Sequence, residues 1–282
     1  MADETQEAAR FLTDFSAGSR IAGYRLEERI GQGATAVVFR AKDERLRRPV
    51  ALKILSPALA ADEEFRDRFV RESRSAAAVD DPHIIPVFEA GDANGVLFIA
   101  MRYVPSGDAG TLVRRMGPLP VARAAAIISA VASALDAAHA AGLVHRDVKP
   151  ANILVDSRPG RPDHVYLSDF GLTKGALSAA TQTGTGHFLG TPTYCAPEQI
   201  KGRRVDARAD EYALACAAFV LLSGELPAAG IAFLGRLGQG TQHDVIHRGR
   251  KVVPPRLTSR RRRGQVRVQH RHAHVPRKRR FA

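Results

Sequence analysis

The spacing of apolar residues changes near residue 105 of this 282-residue chain. Before that point, short alternating segments bounded by glycines are typical of β-strands, with one amphipathic helix among them. From Val121 onward, apolar residues recur every three or four positions, as on the buried face of a helix. Strands first and helices second predict an α+β protein with two lobes, over 21–102 and 103–227, and a cleft between them.

Local patterns predict the individual elements of these lobes. Residues 1–20 have no clear period and are predicted to form a flexible N-terminal arm. The predicted strands of the first lobe are Tyr24–Ile30, Val37–Phe39, Val50–Leu55, Ile84–Phe88 and Val96–Met101. The remaining predicted elements are a helix over 62–78, a helix from Val121 to a glycine cap at Gly142, a hairpin of 153–155 with 165–167, and an apolar helix over 211–222.

Charge is distributed unevenly along the chain. Residues 228–282 hold 15 of the 42 Lys and Arg residues and one of the 29 acidic residues, a net charge of +14. Residues 1–227 hold the rest and carry a net charge of −1. The overall charge of +13 is therefore a property of the C-terminal segment and does not indicate a nucleic-acid-binding body.

Composition excludes several other classes of protein. The two cysteines, Cys195 and Cys216, are too few for a disulfide framework and predict buried, reduced thiols in a cytoplasmic protein. The chain has no run of roughly 18 or more apolar residues, so a membrane span is not expected. Its acidic N-terminus lacks the basic and apolar regions of a secretory signal.

Three features of the first lobe are compatible with binding an anion. Gly31 and Gly33 lie in a predicted hairpin, where backbone N–H groups without a neighbouring Cβ can approach phosphates. Lys53 lies among apolar strand residues and Glu72 on the apolar side of a helix, so each needs an oppositely charged partner. Taken singly, these features equally fit an ordinary hairpin, a lysine that reaches water and a solvated glutamate.

The most specific motif follows the long predicted helix. In the segment His145-Arg-Asp-Val-Lys-Pro-Ala-Asn152, Asp147 is placed to accept or orient a substrate hydroxyl proton, and Asn152 offers an amide oxygen to a hard divalent cation. Ser168-Asp-Phe-Gly171 supplies a second oxygen ligand, Asp169. Two oxygen ligands, a base, a lysine and a glycine turn together indicate phosphoryl transfer from a metal-bound nucleotide.

The order of these motifs resembles that of bacterial Ser/Thr protein kinases of the eukaryotic type, in the form found in actinobacteria. The resemblance runs from about Ala22 to about Pro227 and includes the segment Ala196-Pro-Glu198. It implies a protein-kinase-like two-lobe fold, in which a small antiparallel sheet lobe with one helix lies over a larger, mainly helical lobe. It also implies ATP and Mg²⁺ (or Mn²⁺) as cofactors, and an incomplete C-lobe after residue 227.

The same resemblance implies a role for each matching residue. Lys53 would hold the nucleotide phosphates and pair with Glu72, and Asp147 would be the catalytic aspartate. Lys149 is typical of the Ser/Thr-specific branch and would touch the γ-phosphate, while Asn152 and Asp169 would bind the metal. The residues implied to bind nucleotide are Ile30, Gly31, Gly33, Val38, Ala51, Lys53, the gatekeeper Met101, and Arg102 and Val104 of the hinge.

Control by phosphorylation is also implied. Thr181 and Thr183 of the loop at 172–194 are predicted autophosphorylation sites whose phosphates would pair with Arg146. Structural roles are implied for Thr191, which would contact the catalytic aspartate and lysine, and for Asp210, which would hold the backbone of the catalytic loop. Glu198 would lack the arginine partner that the family supplies from a later helix.

The kinase pattern stops after residue 227. Residues 228–282 have a basic composition without helical or strand period, which predicts a disordered, non-kinase tail. A frame-shifted or mis-assembled coding end would explain the abrupt change. A genuine tail would bind nucleic acid or an anionic membrane through its charge and would lose affinity in salt. A solvated extension without function is the third interpretation.

Two functions remain open at this point. In the first, the chain transfers the γ-phosphate of ATP to Ser or Thr of protein substrates and of itself, which also allows a homodimer. In the second, it is a nucleotide-binding or scaffolding remnant whose incomplete helical lobe has cost it catalysis. Loss of later helices would uncover part of the helix at 211–222, so low stability is expected.

Overall fold

The computed structural model describes residues 15–33, 35–170 and 192–227. The strands of the N-terminal lobe are Arg20–Ile21 (β1), Tyr24–Gln32 (β2), Ala36–Asp43 (β3), Arg48–Leu55 (β4), Val87–Ala93 (β5) and Val96–Arg102 (β6). They form one antiparallel sheet in the order β1-β2-β3-β4-β6-β5. The strand-rich first lobe that the sequence predicts is therefore confirmed.

Period-two alternation explains how the centre of this sheet is buried. Val37 and Phe39 of β3 and Leu52 of β4 are almost fully buried in one core, because alternate residues of a strand point to the same face. β2 and β3 form a hairpin in which Gly31 pairs with Val38, so the glycine turn lies at the free end of the two strands. That turn overhangs the cleft described below.

The N-terminal arm differs in part from its prediction. Gly18 N donates to Leu26 O at 2.9 Å, and Leu26 N donates to Ser19 O at 2.8 Å. Phe15 packs against the core of the sheet. From Phe15 onward the segment that the sequence assigns to a flexible arm is therefore held against the sheet, because β2 offers it unpaired backbone groups and an apolar surface. Residues 1–14 lie outside the described part of the chain.

The fourth strand of the predicted series also begins later than expected. Ile84 forms a parallel bridge with Leu167 of the C-terminal lobe, and Ile85 N donates to Leu167 O at 3.0 Å. Leu167 N in turn donates to His83 O at 2.7 Å. These bonds hold 83–85 against the other lobe, so the strand starts at Val87 and runs to Ala93, and Asn94 and Gly95 form the turn into β6.

Two helices complete the N-terminal lobe, Pro57–Ala60 (α1) and Glu63–Ala77 (α2). Asp62 caps α2, since its Oδ1 accepts from Phe65 N at 3.2 Å. Phe65 and Phe69 are buried against Leu55, Leu97 and Ile99 of the sheet. The predicted helix over 62–78 is thus confirmed, and its apolar face packs against the sheet.

The C-terminal lobe is mainly helical. Its helices are Ala109–Met116 (α3), Val121–Ala140 (α4), Pro197–Ile200 (α5) and Ala207–Ser223 (α6), with a hairpin of Ile153–Asp156 (β7) and His164–Leu167 (β8). In the described part of this lobe, short 3-10 turns occupy Pro150–Asn152 and Pro192–Tyr194. The core is formed where α4, through residues such as Ile127 and Val131, meets Ala217 and Leu221 of α6. The α+β two-lobe fold that the sequence predicts is confirmed.

α4 is long and apolar enough, by length and composition alone, to cross a membrane. The sequence contains no uninterrupted apolar run of about 18 residues here, because Arg123, Ser129 and Asp136 interrupt the apolar sequence. In the structure Ile127, Val131 and Leu135 of α4 lie in the core of the lobe, packed with α6 and β8. α4 is therefore the central core helix of this lobe.

α6 is buried on one side and exposed on the other. Ala213, Ala217 and Leu221 are at most 4% exposed, whereas Phe219 and Leu222 are each 46% exposed. The composition of this helix is that of a helix buried on every side, and the expected incomplete C-lobe would uncover part of it. Among the described residues, Phe219 and Leu222 form an outward-facing apolar stripe. The tail at 228–282 lies outside the described residues, so its three interpretations stay open.

Candidate active site

The lobes enclose a cleft of about 620 Å³. All of the residues predicted to bind nucleotide line it, from Ile30, Gly31 and Gly33 of the glycine turn to Arg102 and Val104 of the connection between the lobes. Asp147, Lys149, Asn152 and Asp169 line the same space from below. The structure thus brings together residues that are more than a hundred positions apart in the sequence.

One end of the cleft is apolar. Ala51, Met101 and Val104 form a buried cluster there, with Val38 above and Leu154 below. The sequence analysis missed Leu154, which lies on the strand that follows the catalytic loop. A flat apolar slot bordered by backbone groups suits a planar ring with hydrogen-bonding edges.

The other end of the cleft is polar and charged. Lys53 Nζ lies 2.8 Å from Asp169 Oδ1, and the two side chains are 16% and 30% exposed. Asp169 has a φ of +61°, a left-handed conformation that few residues other than glycine adopt. The backbone at this point is therefore set to turn the Asp169 carboxylate towards the lysine.

The sequence predicts an ion pair between Glu72 and Lys53. The structure contradicts this prediction, because Lys53 pairs with Asp169. The Glu72 side chain borders a separate cavity of about 190 Å³ beside Arg146 and Phe170, and it makes no ion pair with any residue that the structure describes. Burial raises the pKa of the Glu72 carboxyl, and the nearby Arg146 guanidinium opposes that rise. Lys53 pairs with Asp169 instead, and Glu72 lies at the other cavity.

The catalytic loop holds its polar groups in a defined arrangement. Asp147 Oδ2 accepts from Lys149 Nζ at 2.8 Å and from Asn152 Nδ2 at 3.1 Å. Asn152 Nδ2 also donates to Asp147 O at 2.8 Å. Because the amide nitrogen of Asn152 faces Asp147, its amide oxygen is the atom left for another partner.

These groups fit a hard divalent cation. The Asn152 amide oxygen and the Asp169 carboxylate are oxygen ligands of the kind that Mg²⁺ prefers, and both border the polar end of the cleft. Within the described residues no group of three or more His, Cys, Asp or Glu side chains is arranged to hold a metal. A cation here would take its remaining ligands from water and phosphate oxygens, as Mg²⁺ usually does.

Asp210 anchors the start of the catalytic loop. Its side chain is fully buried on α6, its Oδ2 accepts from His145 N at 2.8 Å, and its Oδ1 accepts from Arg146 N at 2.7 Å. His139 Nε2 lies 2.8 Å from the same carboxylate. A buried carboxylate with this many partners is well compensated and fixes the backbone it binds.

His145 is held as a neutral imidazole beneath the loop. Its Nδ1 accepts from Asp147 N at 3.2 Å and its Nε2 donates to Ser168 O at 3.0 Å, so the ring carries one proton, on Nε2. Burial lowers the pKa of His145, and the nearby Asp210 carboxylate opposes this effect. A second proton would have to sit on Nδ1, against the Asp147 N–H.

Acidification is therefore expected to destabilise the fold. Because the folded-state pKa of His145 lies below its ordinary value of 6.5, the unfolded chain binds more protons as the pH falls below that value. Urea unfolding is expected to show a free energy that declines below about pH 6.5, by up to roughly 1.4 kcal/mol per pH unit from this group.

Two variants separate His145 from the other titrating groups. His145→Gln removes the proton-binding ring and is expected to flatten the decline, whereas His164→Gln, at a partly exposed histidine of β8, leaves it unchanged. Equal slopes in wild type and His145→Gln would contradict the assignment.

The remaining predicted residues lie at the edge of the site or outside the described chain. Thr181, Thr183 and Thr191 fall within the undescribed segment 171–191, so their roles stay predictions. Glu198 makes no ion pair with a residue that the structure describes. Its neighbour Gln199, which sequence reasoning missed, reaches the catalytic loop instead: Gln199 Nε2 donates to Arg146 O at 3.0 Å.

Comparison with known families decides the identity of this arrangement. Residues 24–248 match the protein kinase domain. The chain belongs to the protein kinase domain family. The family inferred from the motifs is therefore confirmed, and the match continues past residue 227, where the sequence analysis ends the kinase-like segment. That boundary stays a prediction.

Individual relatives support the same family. The chain is 42% identical over 247 residues to the serine/threonine-protein kinase PknJ of Mycobacterium tuberculosis, which covers 88% of this chain and 40% of PknJ. It is 44% identical over 211 residues to PknD of the same organism, which covers 74% of this chain and 31% of PknD. The chain thus spans less than half the length of these relatives.

A solved kinase structure is also similar. The kinase domain of Mycobacterium tuberculosis PknI is 40% identical, with a TM-score of 0.61, over 76% of this chain and 79% of that chain. The two-lobe arrangement of this chain is thus that of a protein kinase domain.

Proposed function

We propose that this chain is a serine/threonine protein kinase that transfers the γ-phosphate of ATP to hydroxyl groups of protein substrates and of itself. The supporting observation is that Lys53, Asp147, Asn152 and Asp169 all border one cleft. A triphosphate needs cationic and metal-held contacts, and an acceptor hydroxyl needs a nearby base. The relatives named above are serine/threonine kinases, which favours the same acceptor here.

The apolar end of the cleft would receive the adenine ring. Ala51 and Met101 lie above and behind this slot, and Leu154 lies below it. The backbone between Arg102 and Val104 borders the slot and offers N–H and C=O groups to the edge of the ring. These contacts bind and orient the nucleotide without touching the transferred group.

The polar end would hold the phosphates. When bound, Mg²⁺ or Mn²⁺ would neutralise phosphate charge, and Asn152 and Asp169 are the residues that would hold it. Lys53 would release Asp169 and turn to the phosphates, since its ammonium borders that end of the cleft. The glycine turn over 31–33 borders this region, and its backbone N–H groups would face the phosphates.

Asp147 would receive or orient the proton of the attacking hydroxyl. Lys149, 2.8 Å away, holds the Asp147 carboxylate in place and carries a positive charge that could also meet the γ-phosphate. Proton acceptance at Asp147 Oδ1 or Oδ2 leaves the hydroxyl oxygen free to attack. Phosphorylation of Thr181 and Thr183 would place negative charge for Arg146 to bind, and we retain it as part of the proposal.

The decisive assay combines phosphate transfer with nucleotide binding. The full chain is incubated with γ-labelled ATP and Mg²⁺, and the labelled amino acid is identified after hydrolysis. We expect label on Ser or Thr and none when the metal is chelated. Label on Tyr alone, or on no residue, would refute the proposed acceptor, and transfer that survives chelation would refute the metal role.

Lys53→Met is expected to abolish the rise in melting temperature that Mg²⁺–ATP gives the wild-type chain. The substitution removes the cation next to the phosphates but keeps the length and apolar stem of the side chain. Lys42→Met is the matched control, because Lys42 lies on β3 outside the cleft. Equal shifts in wild type and Lys53→Met would contradict the phosphate-binding role. If the chain is a remnant that binds nucleotide without catalysis, Mg²⁺–ATP would still raise the melting temperature of the wild-type chain, but no residue would become labelled.

A further inference from the structure

Gln199 makes two hydrogen bonds from one side chain. Its Oε1 accepts from Ala196 N at 2.9 Å at the start of α5, and its Nε2 donates to Arg146 O at 3.0 Å in the catalytic loop. A backbone N–H can only donate and a backbone carbonyl can only accept. The partners therefore define which end of the amide is oxygen and which is nitrogen.

The carbonyl that Gln199 binds belongs to an unusual residue. Arg146 has a φ of +63°, in the left-handed region that residues with a Cβ adopt at an energetic cost. Such a conformation persists only when surrounding groups hold it. Arg146 N donates to Asp210 Oδ1 at 2.7 Å, so Asp210 holds the amide nitrogen and Gln199 holds the carbonyl oxygen.

The carbonyl of Arg146 is part of the peptide group that leads directly to Asp147. Rotation of that peptide group would move the Asp147 N–H away from His145 Nδ1 and would swing the Asp147 carboxylate. Asp210 cannot prevent this alone, because it binds the peptide group on the other side of Arg146. The His145 ring holds the N–H end of this second peptide group, and Gln199 holds its carbonyl end.

We propose that Gln199 is a positioning residue for phosphoryl transfer, which acts by donating to Arg146 O and so orienting the peptide group that carries Asp147. This rests on the proposed kinase function. It also makes the catalytic loop sensitive to where α5 lies, since the donor is on α5. Glu198, next to Gln199, has no ion pair within the described residues, so the bond from Gln199 supplies a link between this segment and the loop.

Two substitutions separate the donor of Gln199 from its acceptor. Gln199→Glu keeps an oxygen for Ala196 N but sets a carboxylate oxygen against Arg146 O. Gln199→Lys keeps a donor that can reach Arg146 O but offers no acceptor to Ala196 N. If Gln199 only caps the start of α5, the glutamate variant should keep activity. If Gln199 positions the catalytic loop, the lysine variant should keep activity instead.

The experiment measures kcat, KM for ATP and melting temperature of the full chain and both variants. We expect Gln199→Glu to lower kcat by about tenfold, the usual size of one lost hydrogen bond. KM for ATP should stay within about twofold of wild type, because the nucleotide contacts are untouched. Gln199→Lys should keep kcat within about threefold of wild type. The reverse order of the two variants, or equal kcat values, overturns the proposal.

Each of the other outcomes also supports or refutes the positioning role of Gln199. If Gln199→Glu fails to fold, Gln199→Lys alone is decisive: a tenfold loss of kcat in it contradicts the donor role, and retention supports it. If the wild-type chain transfers no more phosphate than Asp147→Asn does, the proposed function is refuted, and this inference is refuted with it. An active wild type together with a fully active Gln199→Glu refutes only the positioning role.

Discussion

Asp147→Asn is expected to reduce phosphate transfer by a factor of about 10² to 10⁴. The amide keeps the size of the side chain but cannot accept the hydroxyl proton, and it removes the negative charge that faces Lys149. Nucleotide binding should persist, because Lys53 and the apolar end of the cleft are unchanged. The measurement is initial-rate transfer from labelled ATP, with the Mg²⁺–ATP shift in melting temperature as the test of binding.

Asp80→Asn is a suitable control for this substitution. Asp80 is exposed and lies outside the cleft, so the same change of charge there should leave transfer within about twofold of wild type. Transfer by Asp147→Asn at more than a tenth of the wild-type rate would contradict the role of Asp147. Loss of the nucleotide-induced shift would show instead that the substitution damages the cleft.

Asp210→Ala is expected to lower the free energy of unfolding by about 3–5 kcal/mol, the range measured when one partner of a buried charged network is removed. The N–H groups of His145 and Arg146 would lose their acceptor inside the lobe. Buried donors without partners are costly, and a typical domain has only about 5–15 kcal/mol of stability in total. Urea unfolding at pH 7 gives the free energy directly.

Asp206→Ala provides the comparison within the same helix. Asp206 caps the exposed start of α6 through Arg208 N, so its removal should cost about 1 kcal/mol. Asp210→Ala should also abolish transfer, since Arg146 would lose the contact that holds its left-handed backbone. Similar losses of stability in the two variants would show that Asp210 acts only as part of α6 and not as an anchor of the loop.

The sheet and the main helices were predictable because their signals are local. Alternation in β3 and β4 shows which residues face the core, and the three-and-four spacing of α4 shows its buried face. The catalytic loop was predictable because its residues lie within eight positions of one another. Its specific order of His, Arg, Asp, Lys and Asn also left few alternatives.

The partner of Lys53 could not be predicted in the same way. Glu72 and Asp169 are both carboxylates, but the structure places only Asp169 against the lysine, and the choice depends on how α2 is placed against the C-terminal lobe. Hydrophobic periodicity reports which face of a helix is buried, not a shift of that helix by a few ångströms. Gln199 was missed for a related reason, because its second bond joins segments 53 positions apart.

The bonds from 83–85 to β8 have a consequence for how the cleft can open. Once Lys53 releases Asp169, as proposed above, the lobes are joined by the chain after β6 and by this second tether, which leads to the opposite edge of the sheet from the glycine turn. With two connections, the N-terminal lobe can rotate only about a hinge axis that passes through both of them. The glycine turn would then move furthest on opening, and the residues beside the two connections would move least.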